Sequence, residues 1–298
     1  MFSYQKTIKH KVSCYGVGLH SGQDVRMSLL PVDEVDYGIV FKRVDIEGKN
    51  NLVKAQYDLV TETTLGTTIC NEDGVKVATI EHLMAALWGC GIDNCLIEIN
   101  GPEVPIMDGS SEPFVFLIEC AGRSEQGKTR HIIEILKEIR VEDDQAKGGY
   151  ISISPAESFS VNLEIDFGDQ VIACQKGEFD SRAVSFKSDL CRARTFGFEH
   201  EVSYLQSQGL AKGGSLDNAI VVGKDGILNE GELRYGDEFV RHKILDCIGD
   251  IYLAGGYFKG KLSGYKSGHA LNNKLLRALF SDKDAWRTMQ YTKAAVAS

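Results

Sequence analysis

The sequence has no apolar run long enough to span a bilayer, and its opening residues, MFSYQKTIKHKVSCYGVGLHSG, lack the unbroken apolar core of a signal peptide. A cytoplasmic chain is expected. Positive charge is in deficit as well: 33 Lys and Arg stand against 42 Asp and Glu, a formal charge of -9. That balance disfavours a broad phosphate-tracking surface, so nucleic acid is set aside as a partner, while a local basic pocket for one phosphate group stays open. The eight cysteines (Cys14, Cys70, Cys90, Cys95, Cys120, Cys174, Cys191 and Cys247) include no CxxC pair. A cysteine-based zinc knuckle therefore lacks its spacing. A chain of 298 residues needs no disulfide framework, and the cysteines read as reduced core thiols. Low-complexity segments and short-period repeats are also missing. What remains, with 25% charged and 43% hydrophobic residues, is the composition of a folded globular protein long enough for two domains.

Punctuation and periodicity divide the chain into two halves of similar element order. Short apolar or alternating segments from Lys9 to about Leu30 and from Ile92 to Asn100 read as strands. Thr79 is placed to cap a helix whose apolar residues Ile80, Leu83, Met84 and Leu87 keep helical spacing until Gly89 and Gly91. A second helix is expected from Ser111 to Gly122. The stretch AGRSEQGK then turns polar and flexible, after which strand-like runs begin at His131, Tyr150 and Ser160. The boundary is placed there: an N-terminal domain over 1–124, a linker over 125–130 and a C-terminal domain over 131–298.

The most telling segment is RHKILDCIGD at 241 to 250. His242, Asp246 and Asp250 follow one another at four-residue steps, and Val240, Ile244, Leu245, Ile248 and Ile251 define an apolar face beside them. An imidazole and a carboxylate one helical turn apart can grip the same zinc ion, with a third ligand from elsewhere. The bland alternative is an exposed acidic face, with Lys243 as part of a surface charge pair. Glu81-His82, in the first turn of the earlier helix, is the best donor, because His82, His242 and Asp246 leave a coordination position for water and Glu81 can serve as its base. His269, after Gly268 at the start of a further helix, is the candidate acid, supported by Asp250. In RARTFGF at 192 to 198, Thr195 can donate to a developing oxyanion while Phe196 and Phe198 border an apolar cleft. GVGLHSG at 16 to 22 is followed by strand-like alternation rather than a helix, which rejects a dinucleotide loop.

These motifs, together with TIEHLMAAL at 79 to 87, GIDNCLIEINGPEVPIMDGSSEPF at 91 to 114 and KSGHALNNKLL at 266 to 276, resemble one family. It is the UDP-3-O-acyl-N-acetylglucosamine deacetylases, zinc amidases that commit a sugar nucleotide to lipid A synthesis in Gram-negative cells. The resemblance covers nearly the whole chain. It implies an α+β fold of two similarly built domains, each a sheet packed against helices, with the active site between them. It places the zinc ligands on His82, His242 and Asp246, the general base on Glu81 and the general acid on His269. Lys243 and Thr195 would stabilise the transition state and Asp250 would orient the acidic histidine. An insert near 196–221 would form an apolar passage for the acyl chain, lined by Phe196, Val202, Ala219 and Val221 beside Phe198. A basic contact to the diphosphate is also implied, but at Lys147 the local sequence VEDDQAKGGY departs from the family's pattern, and that contact is left unassigned.

On this reading the cofactor is Zn2+, with Fe2+ able to occupy the same ligands, and the partner is an acylated UDP-sugar. A lipid-bearing substrate allows transient contact with a membrane surface, although no basic amphipathic helix argues for it. Whether Glu81 alone or the Glu81/His269 pair moves the protons stays open. So do two other readings: a sugar-nucleotide or lipid-binding protein with structural zinc, and a different metal-dependent amidohydrolase.

Overall fold

Strand Asp24–Leu30 buries Val25, Met27 and Leu29 completely and turns Asp24 and Arg26 outward, the period-two pattern of a sheet with one face on a core. The computed structural model to which it belongs describes residues 4–143, 148–168 and 171–290. Lys147 lies outside them. The first five-stranded sheet runs, in spatial order, Val12–Val17, Asp24–Leu30, Cys95–Ile99, Ile39–Arg43, Leu52–Lys54. Its one parallel pairing joins Cys95–Ile99 to Ile39–Arg43. The second sheet runs Ile139–Glu142, Tyr150–Ser154, Lys261–Tyr265, Ser160–Asp166, Cys174–Asp180, and its one parallel pairing joins Lys261–Tyr265 to Ser160–Asp166.

The two sheets therefore share a topology. Each consists of two hairpins with the last strand inserted between them, and in each that last strand is bracketed by helices. Helices α1 (Glu81–Cys90) and α2 (Glu112–Ala121) flank Cys95–Ile99. Two short helices, α3 (Phe186–Asp189) and α4 (Glu199–Ser207), intervene before α5 (Glu238–Ile251) and α6 (His269–Ser281), which flank Lys261–Tyr265. The α+β expectation of two similarly built units stands.

Helices α1 and α5 pack on one another and carry the two halves together. Eight of the ten residues of α1 are buried, because it lies between the first half and the second instead of on a surface. Trp88 of α1 sits among Phe159, Phe179 and Tyr257 of the second half. A side chain at Gly89 would put its Cβ 2.1 Å from the Phe186 ring, so this glycine continues the helix and makes room for a neighbour, where the sequence suggested a stop. The actual stop is Gly91, whose left-handed backbone (φ 74°) closes the helix end.

Two local expectations are corrected. The polar stretch after Ala121 is not a loose connection: Arg123–Thr129 is a strand paired antiparallel with Tyr4–Ile8. Its residues are exposed or half-buried on both faces, so no apolar alternation could reveal it. The cysteines, all free thiols, are not uniformly in the core either, since Cys120 and Cys174 lie at the surface. Among the described residues no helix is long and apolar enough to cross a membrane.

Candidate active site

Glu81 and His82 occupy the first turn of α1, whose cap position is Ile80. Thr79 does not cap the helix. It takes a left-handed backbone (φ 55°) and its hydroxyl donates to buried Glu103 at 3.0 Å. The same carboxylate accepts the amides of His20 and Ser21, at 2.9 and 2.8 Å, and so fastens the GVGLHSG turn beside the start of α1. Helix α5 supplies the other groups. Its apolar residues Val240, Ile244, Leu245, Ile248 and Ile251 are buried as the spacing requires, and His242, Asp246 and Asp250 are 2 to 4% exposed. That burial removes the alternative of a solvated acidic face.

His82, His242 and Asp246 converge. Asp246 Oδ1 lies 3.5 Å from His82 Nε2 and 3.3 Å from His242 Nε2, and all three potential ligand atoms lie within 4.8 Å of one another. Asp246 Oδ1 is buried and finds no hydrogen-bond partner among the described residues, an expensive state for a carboxylate oxygen unless a cation completes it. Bonds of 2.0 to 2.1 Å in a tetrahedral site put neighbouring ligand atoms roughly 3.3 to 3.4 Å apart, close to the two observed distances. The residues fit a divalent ion. His242 Nδ1 donates to the Ala193 carbonyl at 3.0 Å, which leaves Nε2 as a lone-pair donor, and burial lowers this imidazole to about 4, so it is neutral at physiological pH. Burial opposes ionisation of Asp246, but the His242 and Lys243 charges hold it well below the usual carboxylate range. Lys243 Nζ, 2.8 Å from Oδ2, is the partner that stays charged when His242 is neutral.

On the other side of the site Glu81 Oε2 accepts the Thr67 amide at 3.0 Å, and burial pushes the carboxyl pKa up. A Cβ at Gly66 would stand 2.9 Å from Glu81 Oε1, so the bare glycine leaves room for that oxygen. His269 Nε2 lies 4.0 Å from it. The His269 ring is held through Nδ1, which donates to Asp250 Oδ2 at 2.7 Å. Burial acts to lower His269, but the Asp250 charge and hydrogen bond, with Glu81 behind them, carry it up to about 9. Asp250 is fixed in turn by Thr67 Oγ1 at 2.6 Å and Asn272 Nδ2 at 2.8 Å.

Thr67 and Asn272 escaped the sequence reading. Asn272 stands three residues after His269, on the same helical face, and that spacing could have found it. Nothing in the run TETTLGTT marks Thr67 out.

Thr195 is anchored by its backbone, its amide donating to Gly109 at 2.8 Å and its carbonyl accepting from Ile220 at 2.8 Å. Phe196–Phe198 pairs in parallel with Ile220–Val222, and α4 links the two strands. Phe196 stands beside the His242 ring, with centroids 6.3 Å apart, and both Phe196 and Phe198 meet Phe167 at 5.6 Å. The five expected passage residues do not share one face. Val221 registers with Gly197, which turns it away from the face of Phe196 and Phe198, while Val202 on α4 and Ala219 are half-buried. Strand alternation, invisible when residues are chosen by motif position alone, is the reason.

A family model described as UDP-3-O-acyl N-acetylglycosamine deacetylase matches residues 5–281 of the chain.

Proposed function

The chain belongs to the UDP-3-O-acyl N-acetylglycosamine deacetylase family, and from that premise we propose that it removes the N-acetyl group of UDP-3-O-acyl-N-acetylglucosamine at a zinc site. The products are UDP-3-O-acyl-glucosamine and acetate, and the setting is the cytoplasm. Membership makes the protein a deacetylase of lipid A synthesis; the metal, the products and the residue roles are our reading. The observation that supports it most is Asp246 Oδ1, without a hydrogen-bond partner among the described residues and set between two imidazole nitrogens, with Glu81 and His269 on the adjoining wall.

Held by His82, His242 and Asp246, a zinc ion would supply Lewis acidity for the acetyl carbonyl and lower the pKa of a bound water. Glu81 takes the proton of the attacking water, since Oε2 is tied to the Thr67 amide and Oε1 lies 4.0 Å from His269 Nε2. The new carbon–oxygen bond forms as the carbonyl oxygen gains charge, and the Thr195 hydroxyl and the Lys243 ammonium stabilise that oxyanion. His269 Nε2 donates its proton to the nitrogen as the carbon–nitrogen bond breaks. Asp250 keeps the imidazole oriented and charged for this step. The acyl chain would run along the face of residues 196 to 222 that carries Phe196 at its inner end and Phe198 beyond it, with Val202 and Ala219 beside it, while Val221 backs the ribbon from its other face.

The test is acetate release from UDP-3-O-acyl-N-acetylglucosamine by the purified protein, before and after chelation, with zinc or iron restored in separate samples. Release that is lost on chelation and recovered with metal is expected. No release from a folded, metal-loaded sample would send the reading to a different amide or to a binding protein.

A further inference from the structure

One fully buried carboxylate on α5 has no part in the chemistry above. Glu238, with no exposed surface, precedes His242 by one helical turn and receives four hydrogen bonds. Its Oε1 accepts the Arg194 backbone amide at 3.0 Å and Arg194 Nε at 2.9 Å, and its Oε2 accepts Arg194 Nη2 at 3.2 Å and the Arg234 amide at 2.6 Å. The Arg194 N–H and the Ala193 carbonyl are the two ends of one planar peptide. The Ala193 end is the acceptor for His242 Nδ1 at 3.0 Å. Glu238 and His242, four residues apart on one helix, thus hold opposite ends of a single rigid plane.

The clamp extends across the molecule. Arg234 Nη1 reaches the Arg192 carbonyl at 3.0 Å and Asp108 Oδ2 at 2.8 Å, in the loop of the first half that also holds Ser111. Ser111 Oγ donates to the His82 carbonyl at 2.7 Å. Thr195, immediately after the clamped peptide, is bound to the same loop through Gly109.

We propose that Glu238 is a positioning residue for the metal site, acting through the Ala193–Arg194 peptide to fix the His242 imidazole and to place Thr195 beside it. The inference rests on the metal-hydrolase reading. It assigns the function of Glu238 to the reach of its oxygen to the Arg194 amide. A buried ion pair that only holds the fold together would instead depend on its charge.

Two conservative variants separate these. Glu238→Gln keeps the reach and one acceptor oxygen but loses the charge; Glu238→Asp keeps the charge but withdraws the oxygens by one methylene. Co2+ is titrated into metal-free chain and followed by its visible absorption, with a competing chelator to give affinity, and kcat and KM are measured on the loaded protein. Loss of a group that orients a metal-bound histidine typically weakens metal binding roughly 10- to 100-fold, and that loss, with an altered Co2+ spectrum and reduced kcat at unchanged KM, is expected for Glu238→Asp. Glu238→Gln is expected to bind Co2+ nearly as the parent does. Asp93→Asn, in a buried Arg130 pair remote from the ligands, serves as the stability control and should lower Tm without changing the Co2+ spectrum. Normal Co2+ affinity in both Glu238 variants, an equal loss in both, or a loss confined to Gln overturns the inference. Failure of the parent chain to take up Co2+ would overturn the metal reading itself.

Discussion

Burial alone would strip the proton from His269, yet the Asp250 carboxylate 2.7 Å from Nδ1 and the Glu81 charge outweigh it and carry the imidazole up to about 9, against the opposing Lys243 charge. In the proposed role of general acid His269 must be protonated, so activity should hold through neutral pH and fall as pH rises through about 9. The stability sign is the same. The folded pKa is raised above the ordinary imidazole value of 6.5, so the contribution is fully present below about 6.5 and is lost as pH rises through about 9. Asp250→Asn removes the charge that does most to raise the ring, and the alkaline limb of the kcat/KM profile should move down by roughly 1 to 3 pH units. A limb that stays near its original position in this variant would mean that another group is the acid. Thr67 belongs to this scale too, since it holds both Glu81 and Asp250. It was illegible in sequence because 183 residues separate it from Asp250, and a threonine in a threonine-rich run carries no periodic signal.

At the level of elements, what could be read was whatever periodicity encodes. The helix over 238–251 and its stripe of His242, Asp246 and Asp250 follow from four-residue spacing, and the strand Asp24–Leu30 follows from alternation. The strand Arg123–Thr129 could not be read, because it is joined to Tyr4–Ile8 by backbone hydrogen bonds that place no demand on side-chain polarity. The closeness of α1 to α5 was equally hidden, and it depends on Gly249. A Cβ there would stand 2.0 Å from the Glu81 carbonyl oxygen and 3.1 Å from its Cα. Alanine gains about 1 kcal/mol of helix propensity over glycine, while overpacking of this kind costs about 1 to 3 kcal/mol, so steric strain should win. The strain falls on the backbone of Glu81 and His82. Gly249→Ala is therefore expected to lower Tm by a few degrees but to reduce kcat far more, which thermal melts and steady-state rates on one preparation would resolve. A stabilised variant with parental kcat would mean that the helices separate without cost to the site.

Across the whole molecule the two five-stranded sheets repeat one topology, so the helices before their last strands, α1 and α5, are corresponding elements packed against each other. Both contribute to the site: α1 gives Glu81 and His82, and α5 gives His242, Asp246 and Asp250. Three buried carboxylates, Glu81, Asp246 and Asp250, face the two cations Lys243 and His269, and among the described residues Asp246 Oδ1 has no hydrogen-bond partner. A divalent ion held there would reverse that local excess of negative charge and would tie one half to the other through His82. Because it would bind the folded chain, an ion present at a thousand times its Kd would add about 4 kcal/mol of stability. In a chain somewhat larger than those for which 1 kcal/mol shifts Tm by about 2 to 4 °C, that becomes on the order of 8 °C. Chelation should lower Tm by this amount, and His82→Ala should melt like the chelated parent and no longer respond to chelator. If metal analysis finds the ion removed while Tm is unchanged, the ion does not bridge the halves, and the close packing of α1 on α5 at Gly249 is enough to hold them together.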